Sequence, residues 1–186
     1  MRVIDLTAMV MGPYCTQIMA DMGADVTKIE PPQGDDTRFI SVGPAPGMSG
    51  VFVNVNRGKR SVVLDLRSDA GRTALRALCE KADVFIQNLA PGAMARAGFG
   101  SAKLREKHPR LITVDISGYG DEGPYRDMKA YDLLIQCESG LASITGVPER
   151  PGRVGVSVAD IACGMYAHAG ILQALYHRER TGEGGA

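Results

Sequence analysis

The stretch RVIDLTAMVMGPYCTQIMADMGADVTKIE, residues 2–30, contains an apolar strand, a helix and a second strand in succession. RVIDL (2–6) is short and apolar, and DVTKIE (25–30) alternates as a half-buried strand does. A helix is predicted from Pro13 to Met22, because a first-turn proline loses no helical hydrogen bond and Gly23 favours termination. A β–α–β unit of this length predicts a parallel sheet.

The rest of the chain continues the alternation of strands and helices. Strands are predicted at SVVLDL (61–66), DVFIQN (83–88) and RLITVDISGYG (110–120), and helices from Ser68 to about Lys81, over AMARAG (93–98), over 131–145 and from Ile161 to Gly182. Pro31–Gly50 predicts a long loop of a kind that tends to be functional, and 146–153 a turn or surface loop. The predicted fold is α/β, with a doubly wound, mostly parallel, Rossmann-like sheet.

Charge and cysteine content argue against several function classes. The 186 residues hold 21 Lys and Arg against 21 Asp and Glu, so no net charge favours a nucleic acid or a membrane surface. The four cysteines show neither CxxC nor zinc-like spacing, so no metal site is predicted, and scattered thiols fit the cytosol. No signal peptide and no apolar run near the ~20 residues of a membrane span are visible. We expect a soluble, cytoplasmic protein.

The first turn does not favour a dinucleotide. After RVIDL the sequence is TAMVMGPYCTQ, with one glycine where the GxGxxG fingerprint places three. Those glycines let pyrophosphate approach the backbone. The doubly wound sheet is therefore predicted without NAD.

Two basic segments are candidates for holding an anion. NRGKRS (56–61) supplies Arg57, Lys59 and Arg60 just before a predicted strand, and GDDTR (34–38) supplies Arg38 in the long loop. One interpretation is a solvated basic turn. The other is a phosphate clamp on which the two loops converge, since guanidinium and ammonium groups suit phosphate oxygens.

Asp160 interrupts the apolar stretch VSVADIACGM (156–165), whose β-branched start resembles a strand. Its carboxylate could cap the last helix, because Asp is among the best N-cap residues. Alternatively, free amides and the positive helix end would keep it ionised and fixed as a nucleophile. Position alone does not choose between them.

Five stretches together resemble one known family. They are VIDLTAMVMGPYCTQIMADMGADVTKIEPPQGDDTR, NRGKRSVVLDL, NLAPGAMARAGFG, ISGYGDEGPYRDMKAYDLLIQCESGLASITG and VADIACGMYAHAGILQALYHRERTGEGG. In order and spacing they are similar to the class III CoA-transferase family, also called CaiB/BaiF or formyl-CoA transferase-like. Its members usually run to about twice this length, so residues 1–186 are expected to be the N-terminal part of a longer chain.

The resemblance implies a reaction and the residues that serve it. Asp160 would attack an acyl-CoA thioester, giving an acyl-aspartyl anhydride and CoA thiolate. A carboxylic acid acceptor would then take the acyl group through further anhydride exchange. Coenzyme A enters as the acyl-CoA substrate. The resemblance implies active-site roles for Gln17 and Tyr131 and contacts or proximity to CoA for Arg38, Lys59, Arg60, Asn88 and Lys129. The family's usual Asn-Phe-Arg-Pro-Gly is NLAPG here, so Leu89 and Ala90 change the expected CoA contacts.

Three other functions stay open. A racemase branch of the family carries a histidine where this chain has Tyr131, and racemisation needs two proton-transfer groups, so transfer is favoured. A CoA-binding module without activity and a nucleotide-binding dehydrogenase are the others. The resemblance also implies an interlocked homodimer.

Overall fold

The computed structural model describes all 186 residues and is built around a five-stranded parallel sheet. The strands lie in the order β3-β2-β1-β4-β5, and their bounds are β1 Arg2–Leu6, β2 Asp25–Glu30, β3 Arg60–Val63, β4 Val84–Gln87 and β5 Ile112–Asp115. The order reverses direction between β1 and β4, which is the topological switch point of a doubly wound sheet. The predicted fold class is confirmed.

Eight helices and one small hairpin accompany the sheet. The helices are α1 Met11–Asp21, α2 Gly50–Asn56, α3 Asp69–Cys79, α4 Ala93–Arg96, α5 Ser101–Lys107, α6 Asp132–Glu138, α7 Leu141–Ile144 and α8 Val158–Thr181. The strands β6 Gly146–Val147 and β7 Arg150–Pro151 pair antiparallel.

Alternating side chains of the strands feed two separate cores. Val3 on β1 belongs to the core shared with α1 and α8, whereas its neighbour Ile4 belongs to the core shared with α3, α4 and α5. Successive residues of a strand point to opposite faces, so a parallel sheet covered on both sides needs both to be apolar. The apolar run of β4 from Val84 to Ile86 meets that demand, and all three residues are fully buried.

Helix α8 is held against α1 by a close backbone approach. A Cβ on Gly164 would lie 2.5 Å from the carbonyl oxygen of Met11, so only glycine fits at this crossing. Along the same helix face Ile171 and Arg178 are buried, and Arg178 pairs with Asp83 at 3.0 Å. By length and composition α8 is the one helix apolar enough to cross a membrane, with a mean hydropathy of 1.2 over an 18-residue window. The expectation that no apolar run approaches the length of a span is therefore wrong.

Several predicted boundaries are wrong. The loop from Pro31 to Gly50 contains a 3₁₀ turn at Asp36–Arg38 and leads into α2, which the sequence analysis did not predict, and α5 was missed as well. Gly140, at φ 78°, divides the predicted 131–145 helix into α6 and α7. The predicted loop at 146–153 forms the β6–β7 hairpin.

The ends of α3 and α8 follow the predicted signals more closely. Ser68 accepts a hydrogen bond from the amide of Gly71 as the N-cap of α3, and Gly182 ends α8 with φ 82°. No strand precedes α8, although Val156 and Val158 have strand-like side chains. The amide of Val158 donates to the carbonyl of Val156 at 2.8 Å, and the helix begins there.

Candidate active site

Asp160 lies in the first turn of α8 but does not cap it. The N-cap is Ser157, and the carboxylate that receives the exposed helix amides belongs to Asp132 at the start of α6. Asp132 Oδ1 accepts from the amide of Ala159 at 2.8 Å and lies 3.5 Å from the amide of Asp160. The N-cap interpretation of Asp160 is therefore wrong, because a residue 28 positions earlier performs that role.

The carboxyl group of Asp160 is left without a hydrogen bond or an ion pair in a partly buried position. Burial and the negative charge of Asp132 raise its pKa above the usual value for an aspartate. The expectation that free amides would hold this carboxylate ionised is not met, since Asp132 occupies them. The result is a poorly solvated carboxylate available for chemistry.

Tyr131 and Lys129 belong to the segment that leads into Asp132. Tyr131 is the N-cap of α6 and makes no capping hydrogen bond, and 62% of its surface is exposed. Lys129 is also exposed. Because Asp132 contacts the start of α8 directly, the structure brings Tyr131 to the neighbourhood of Asp160.

Gln17 is buried on α1, and its polar contact lies away from Asp160. Its side-chain amide donates to Asp21, the carboxylate of which also pairs with Arg57 at 2.5 Å. The face of α1 that meets α8 carries Met11 and Cys15 instead. In this structure no polar contact joins Gln17 to Asp160.

Asn88 connects the ends of β1 and β4 at the switch point by hydrogen bonds. Its side chain accepts from the amide of Ala8 at 2.9 Å and donates to the carbonyl of Ala8 at 2.8 Å. Between Ala8 and α1, Met9 has φ 68°, a conformation that is unusual for a non-glycine residue and frequent at functional sites. Since Met11 meets both Asn88 and α8, the switch point is connected to the helix of Asp160.

A cavity of about 380 Å³ opens beside this point along the carboxyl edge of the sheet. Its walls come from the residues after β1, β2 and β3 and from Leu89, which lies next to Asn88. Apolar side chains such as Leu6 and Leu66 line it, and Arg67 contributes a cation. Doubly wound folds bind ligands at this edge. Arg67, which pairs with Asp65 at 2.9 Å, was not predicted from the sequence.

Arg38 is held firmly within the protein. Its guanidinium makes a bidentate ion pair with Glu30, at 2.7 and 2.6 Å, and stacks on the ring of Phe52 at 3.8 Å. Burial works against ionisation of Glu30, but hydrogen bonds from Arg38, Ser61 and the amide of Asp35 prevail and lower its pKa to about 2. The pair therefore anchors the loop after β2.

We expect Glu30→Gln to weaken the fold at neutral pH and to make it less sensitive to acid. A carboxylate whose pKa falls from 4.5 to about 2 stabilises the folded state above pH 4.5, by about 3 kcal/mol, and that contribution disappears as the pH falls towards 2. Urea unfolding of the two proteins should show a difference at pH 7 that shrinks towards pH 2. Glu122→Gln, at an exposed site, should show no difference, and a pH-independent loss in Glu30→Gln would contradict this assignment.

The two basic loops do converge, but their cations are already paired. Arg38 and Lys59 line one cavity of about 280 Å³. The ammonium of Lys59 is buried and lies 3.0 Å from Asp5, with further bonds to Asn56 and the carbonyl of Pro13. The structure therefore favours a structural role for Lys59 over an open phosphate clamp.

Arg60 lies at the opposite end of the sheet from the cavity beside Leu89. It begins β3, opposite Thr27, and pairs with Asp25 at 2.5 Å. Of the predicted CoA contacts, the structure brings Asn88 to the carboxyl edge, whereas Arg60 lies at the amino edge.

Sequence reasoning also missed the side chain that holds Asp132 in place. Gln136 is fully buried, donates to Asp132 Oδ2 at 2.7 Å and accepts from the amide of Val154 at 2.8 Å. The spacing of four residues between Asp132 and Gln136 was the available signal, because such pairs meet on one helix face.

Comparisons with known proteins agree with this architecture. A model of CoA-transferase family III matches residues 1–186. A succinyl-CoA:mesaconate CoA-transferase of Haloarcula hispanica is 44% identical, covering 99% of this chain and 49% of the relative. A formyl-CoA:oxalate CoA-transferase of Streptomyces avermitilis is 40% identical, covering 98% of this chain and 45% of the relative.

A solved structure extends the likeness to three dimensions. The crystal structure of a CaiB/BaiF family protein from Brucella suis superposes with a TM-score of 0.94 and 39% identity, covering all of this chain and 50% of that one. The chain thus spans about half the length of the curated relatives it matches. The matches over its whole length confirm the resemblance drawn from the sequence, and the chain belongs to CoA-transferase family III.

Proposed function

We propose that this chain carries the nucleophile of a CoA-transferase, which moves CoA from an acyl-CoA thioester to a carboxylic acid through an acyl-aspartyl anhydride on Asp160. The observation that carries the proposal is the free carboxylate of Asp160. It occupies the first turn of a long helix, is partly exposed, and takes part in neither capping nor ion pairing. A carboxylate without a structural partner at such a position is suited to attack a carbonyl carbon.

The proposed reaction balances as a series of acyl exchanges. An oxygen of Asp160 bonds to the thioester carbonyl carbon and the C–S bond breaks, leaving an anhydride and CoA thiolate. The thiolate attacks the aspartyl carbonyl and releases the donor acid. The acceptor carboxylate attacks the aspartyl thioester, and the returning thiolate attacks the acceptor's carbonyl and frees Asp160. Anhydride and thioester are both activated acyl groups, so a water-poor site conserves the energy of the thioester.

For the CoA moiety we propose the carboxyl edge of the sheet. Apolar side chains in the cavity lining, such as Leu66 and Leu89, suit the less polar parts of CoA, although carboxylates such as Asp36 also line it. Asn88 is next to Leu89 in the sequence. Phosphates need cations, and Arg67 at this cavity is 84% exposed at its side chain and so more accessible than Lys59, although it too pairs with a carboxylate, that of Asp65 at 2.9 Å. The roles of Tyr131 and Lys129 stay proposals supported by their exposure near Asp132.

Four residues can have their proposed roles only if they give up an existing contact: Gln17, Arg38, Lys59 and Arg60. Each side chain already bonds to a neighbouring carboxylate, so it would have to exchange that partner for a substrate group. Such an exchange has a cost, which is greatest for the buried pair of Lys59. We therefore propose Arg38 as a CoA contact only through a rearrangement of its loop.

Transfer is better supported than racemisation. Racemisation needs a second proton-transfer group facing Asp160, and the corresponding position holds Tyr131. On α8 the first histidine after Asp160 is His168, eight residues or about 12 Å further along the axis. An α-deuterium exchange assay without an acceptor would reveal a racemase.

For the substrate class we propose dicarboxylic acids and their CoA thioesters. The relatives' names pair succinyl-CoA with mesaconate, succinate with glutarate, and formyl-CoA with oxalate. Each pair includes at least one dicarboxylic acid. A screen of donors and acceptors with the full-length protein would identify which member of the class this protein uses.

We also propose an interlocked homodimer in the cytoplasm. The outer face of α8 carries the exposed side chains Met165, Tyr166, Leu172 and Tyr176, and such a surface favours a protein partner. The zero net charge supports a protein that needs neither nucleic acid nor a membrane surface. That residues 1–186 are the N-terminal part of a longer chain stays a prediction.

An oxygen-transfer experiment tests the mechanism. Full-length protein is incubated with succinyl-CoA and glutarate labelled with oxygen-18 in its carboxylates, and the peptide containing Asp160 is analysed by mass spectrometry. The exchange series above predicts one heavy oxygen on Asp160 after a single turnover, because the acceptor's oxygen bridges the second anhydride. Labelled glutarate without succinyl-CoA should leave Asp160 unlabelled, because no aspartyl thioester then forms for the acceptor to attack. Label-free Asp160 during continued CoA transfer would overturn the proposal.

A further inference from the structure

The start of α8 is fixed by a relay of side chains that begins on α6. Gln136, which is fully buried, uses both ends of its amide: Nε2 donates to Asp132 and Oε1 accepts from the amide of Val154. Asp132 in turn accepts from the amide of Ala159 through its other oxygen. Three segments that are separate in sequence therefore meet at the first turn of α8.

The relay determines what the Asp160 carboxylate can bind. Exposed amides at a helix start attract nearby oxygens, and the N-cap side chain is the usual partner. The N-cap of α8, Ser157, makes no such hydrogen bond, so the amides are open to a nearby carboxylate. Here Asp132 takes the amide of Ala159 and lies 3.5 Å from that of Asp160. The Asp160 carboxylate is consequently not drawn into capping its own helix and stays available.

We propose that Asp132, oriented by Gln136, is a positioning residue for Asp160: by capping α8 from outside, it fixes the first turn and leaves the Asp160 carboxylate free to meet the substrate. This inference rests on the proposed nucleophilic role of Asp160. It assigns to Asp132 no contact with the acyl-CoA. Its function is exerted through the backbone and through the charge that it places beside Asp160.

The charges around Asp160 come mainly from α6. Asp132 is the ionisable group whose negative charge acts on Asp160, and the thiol of Cys163 lies one turn along α8. From α1, Tyr14 and Cys15 face α8 near Gly164, and the one charged residue of α1, Asp21, pairs with Arg57. On β5, Asp115 accepts from Gln87.

This arrangement has a signature that a purely structural cap lacks. Burial and the charge of Asp132 raise the pKa of Asp160, and the nucleophile acts in its ionised form. Transfer activity therefore falls as the pH drops through that raised pKa. A substitution that removes the charge of Asp132 but keeps its shape lowers the pKa of Asp160. The fall in activity, which is the acid limb of the pH profile, then moves to lower pH.

The test compares Asp132→Asn, Asp132→Ala and Gln136→Leu in the full-length protein with succinyl-CoA and glutarate. Asparagine retains an oxygen for the amide of Ala159, so Asp132→Asn should keep the fold and shift the acid limb of kcat to lower pH. Asp132→Ala and Gln136→Leu should lower kcat about 10- to 100-fold, with KM for succinyl-CoA unchanged, because small misplacements of a reacting group cost that much.

The matched control is Asp127→Asn, which removes an 89% exposed carboxylate from the same segment and should change neither kcat nor the acid limb. An unshifted acid limb in folded Asp132→Asn would overturn the positioning role. Oxygen-18 labelling of Asp160 in the wild-type protein separates the two proposals. If Asp160 becomes labelled in the wild-type protein but the variants have wild-type kcat and pH dependence, only the role of Asp132 is wrong. If Asp160 of the wild-type protein stays unlabelled, the nucleophile assignment is wrong.

Discussion

Asp160→Asn is expected to abolish CoA transfer, lowering kcat by about 10³-fold or more, while the protein stays folded. An amide oxygen of Asn is too weak a nucleophile to open a thioester, and removal of a covalent nucleophile typically costs at least this much. The measurement is the rate of acyl-CoA formation with purified full-length variants. Oxygen-18 incorporation at position 160 should vanish in parallel.

This substitution removes no hydrogen bond that stabilises the fold. The Asp160 carboxylate accepts no hydrogen bond, and the cap of α8 comes from Asp132. Replacing it with Asn also removes a like charge from beside Asp132. Thermal unfolding of Asp160→Asn should therefore occur at or slightly above the wild-type temperature. Loss of activity together with loss of stability would indicate that Asp160 holds the fold instead.

A control substitution isolates the chemical effect. Asp127→Asn removes one exposed carboxylate and leaves the site intact, so it should retain wild-type transfer. Retention of substantial activity by Asp160→Asn would contradict the nucleophile assignment, whatever the behaviour of the control.

The sheet was predictable because its signals are local. Residues 2–30 hold two strands on either side of a helix with a proline in its first turn and a glycine at its end. Both faces of a parallel sheet are buried, so a strand such as β4 is apolar at 84–86. The prediction that β2 is half-buried is wrong, because Lys28 and Glu30 are buried in ion pairs. The cap at Ser68 and the end of α8 at Gly182 were predictable for the same reason.

Elements without such signals were missed. Helix α2 is only seven residues long and directly follows a segment rich in Gly and Pro, so it was included in the predicted loop although Ser49 is a favourable N-cap residue. The loop before it is organised by contacts distant in sequence, such as the ion pair of Glu30 with Arg38. Propensity rules describe neighbours along the chain and do not capture such pairs.

The site was predictable only in outline. Asp160 stands out as a charge in an apolar stretch, but its cap lies 28 residues away on another helix. From the sequence, Asp160 and Asp132 are each a first-turn aspartate at the start of a helix. Which of them caps α8 depends on the packing of α6 against it. Similarly, the sequence of the basic segment at 56–61 is compatible with a phosphate clamp, and only the structure shows that Lys59 pairs with Asp5.

That buried pair leads to the largest expected loss of stability, in Lys59→Met. The ammonium of Lys59 lies 3.0 Å from Asp5, and both side chains are almost completely buried, at 2% and 0% exposure. Burial opposes ionisation of Asp5, but Lys59, Lys28 and the hydroxyl groups of Thr16 and Thr7 keep its pKa below the usual value. Without Lys59 an ionised carboxylate in the centre of the sheet loses its nearest cation, at a cost of about 3–5 kcal/mol.

Urea unfolding at pH 7 measures this loss, and the neighbouring pair supplies the control. Arg57 and Asp21 are closer to each other, at 2.5 Å, but half exposed, so Arg57→Met should cost no more than about 1 kcal/mol. Adding Asp5→Asn to Lys59→Met removes the stranded charge, so the double variant should lose less than the sum of its single substitutions. A loss below 1 kcal/mol in Lys59→Met would contradict the structural role of its ammonium; a large loss with strong coupling to Asp5 would confirm that role.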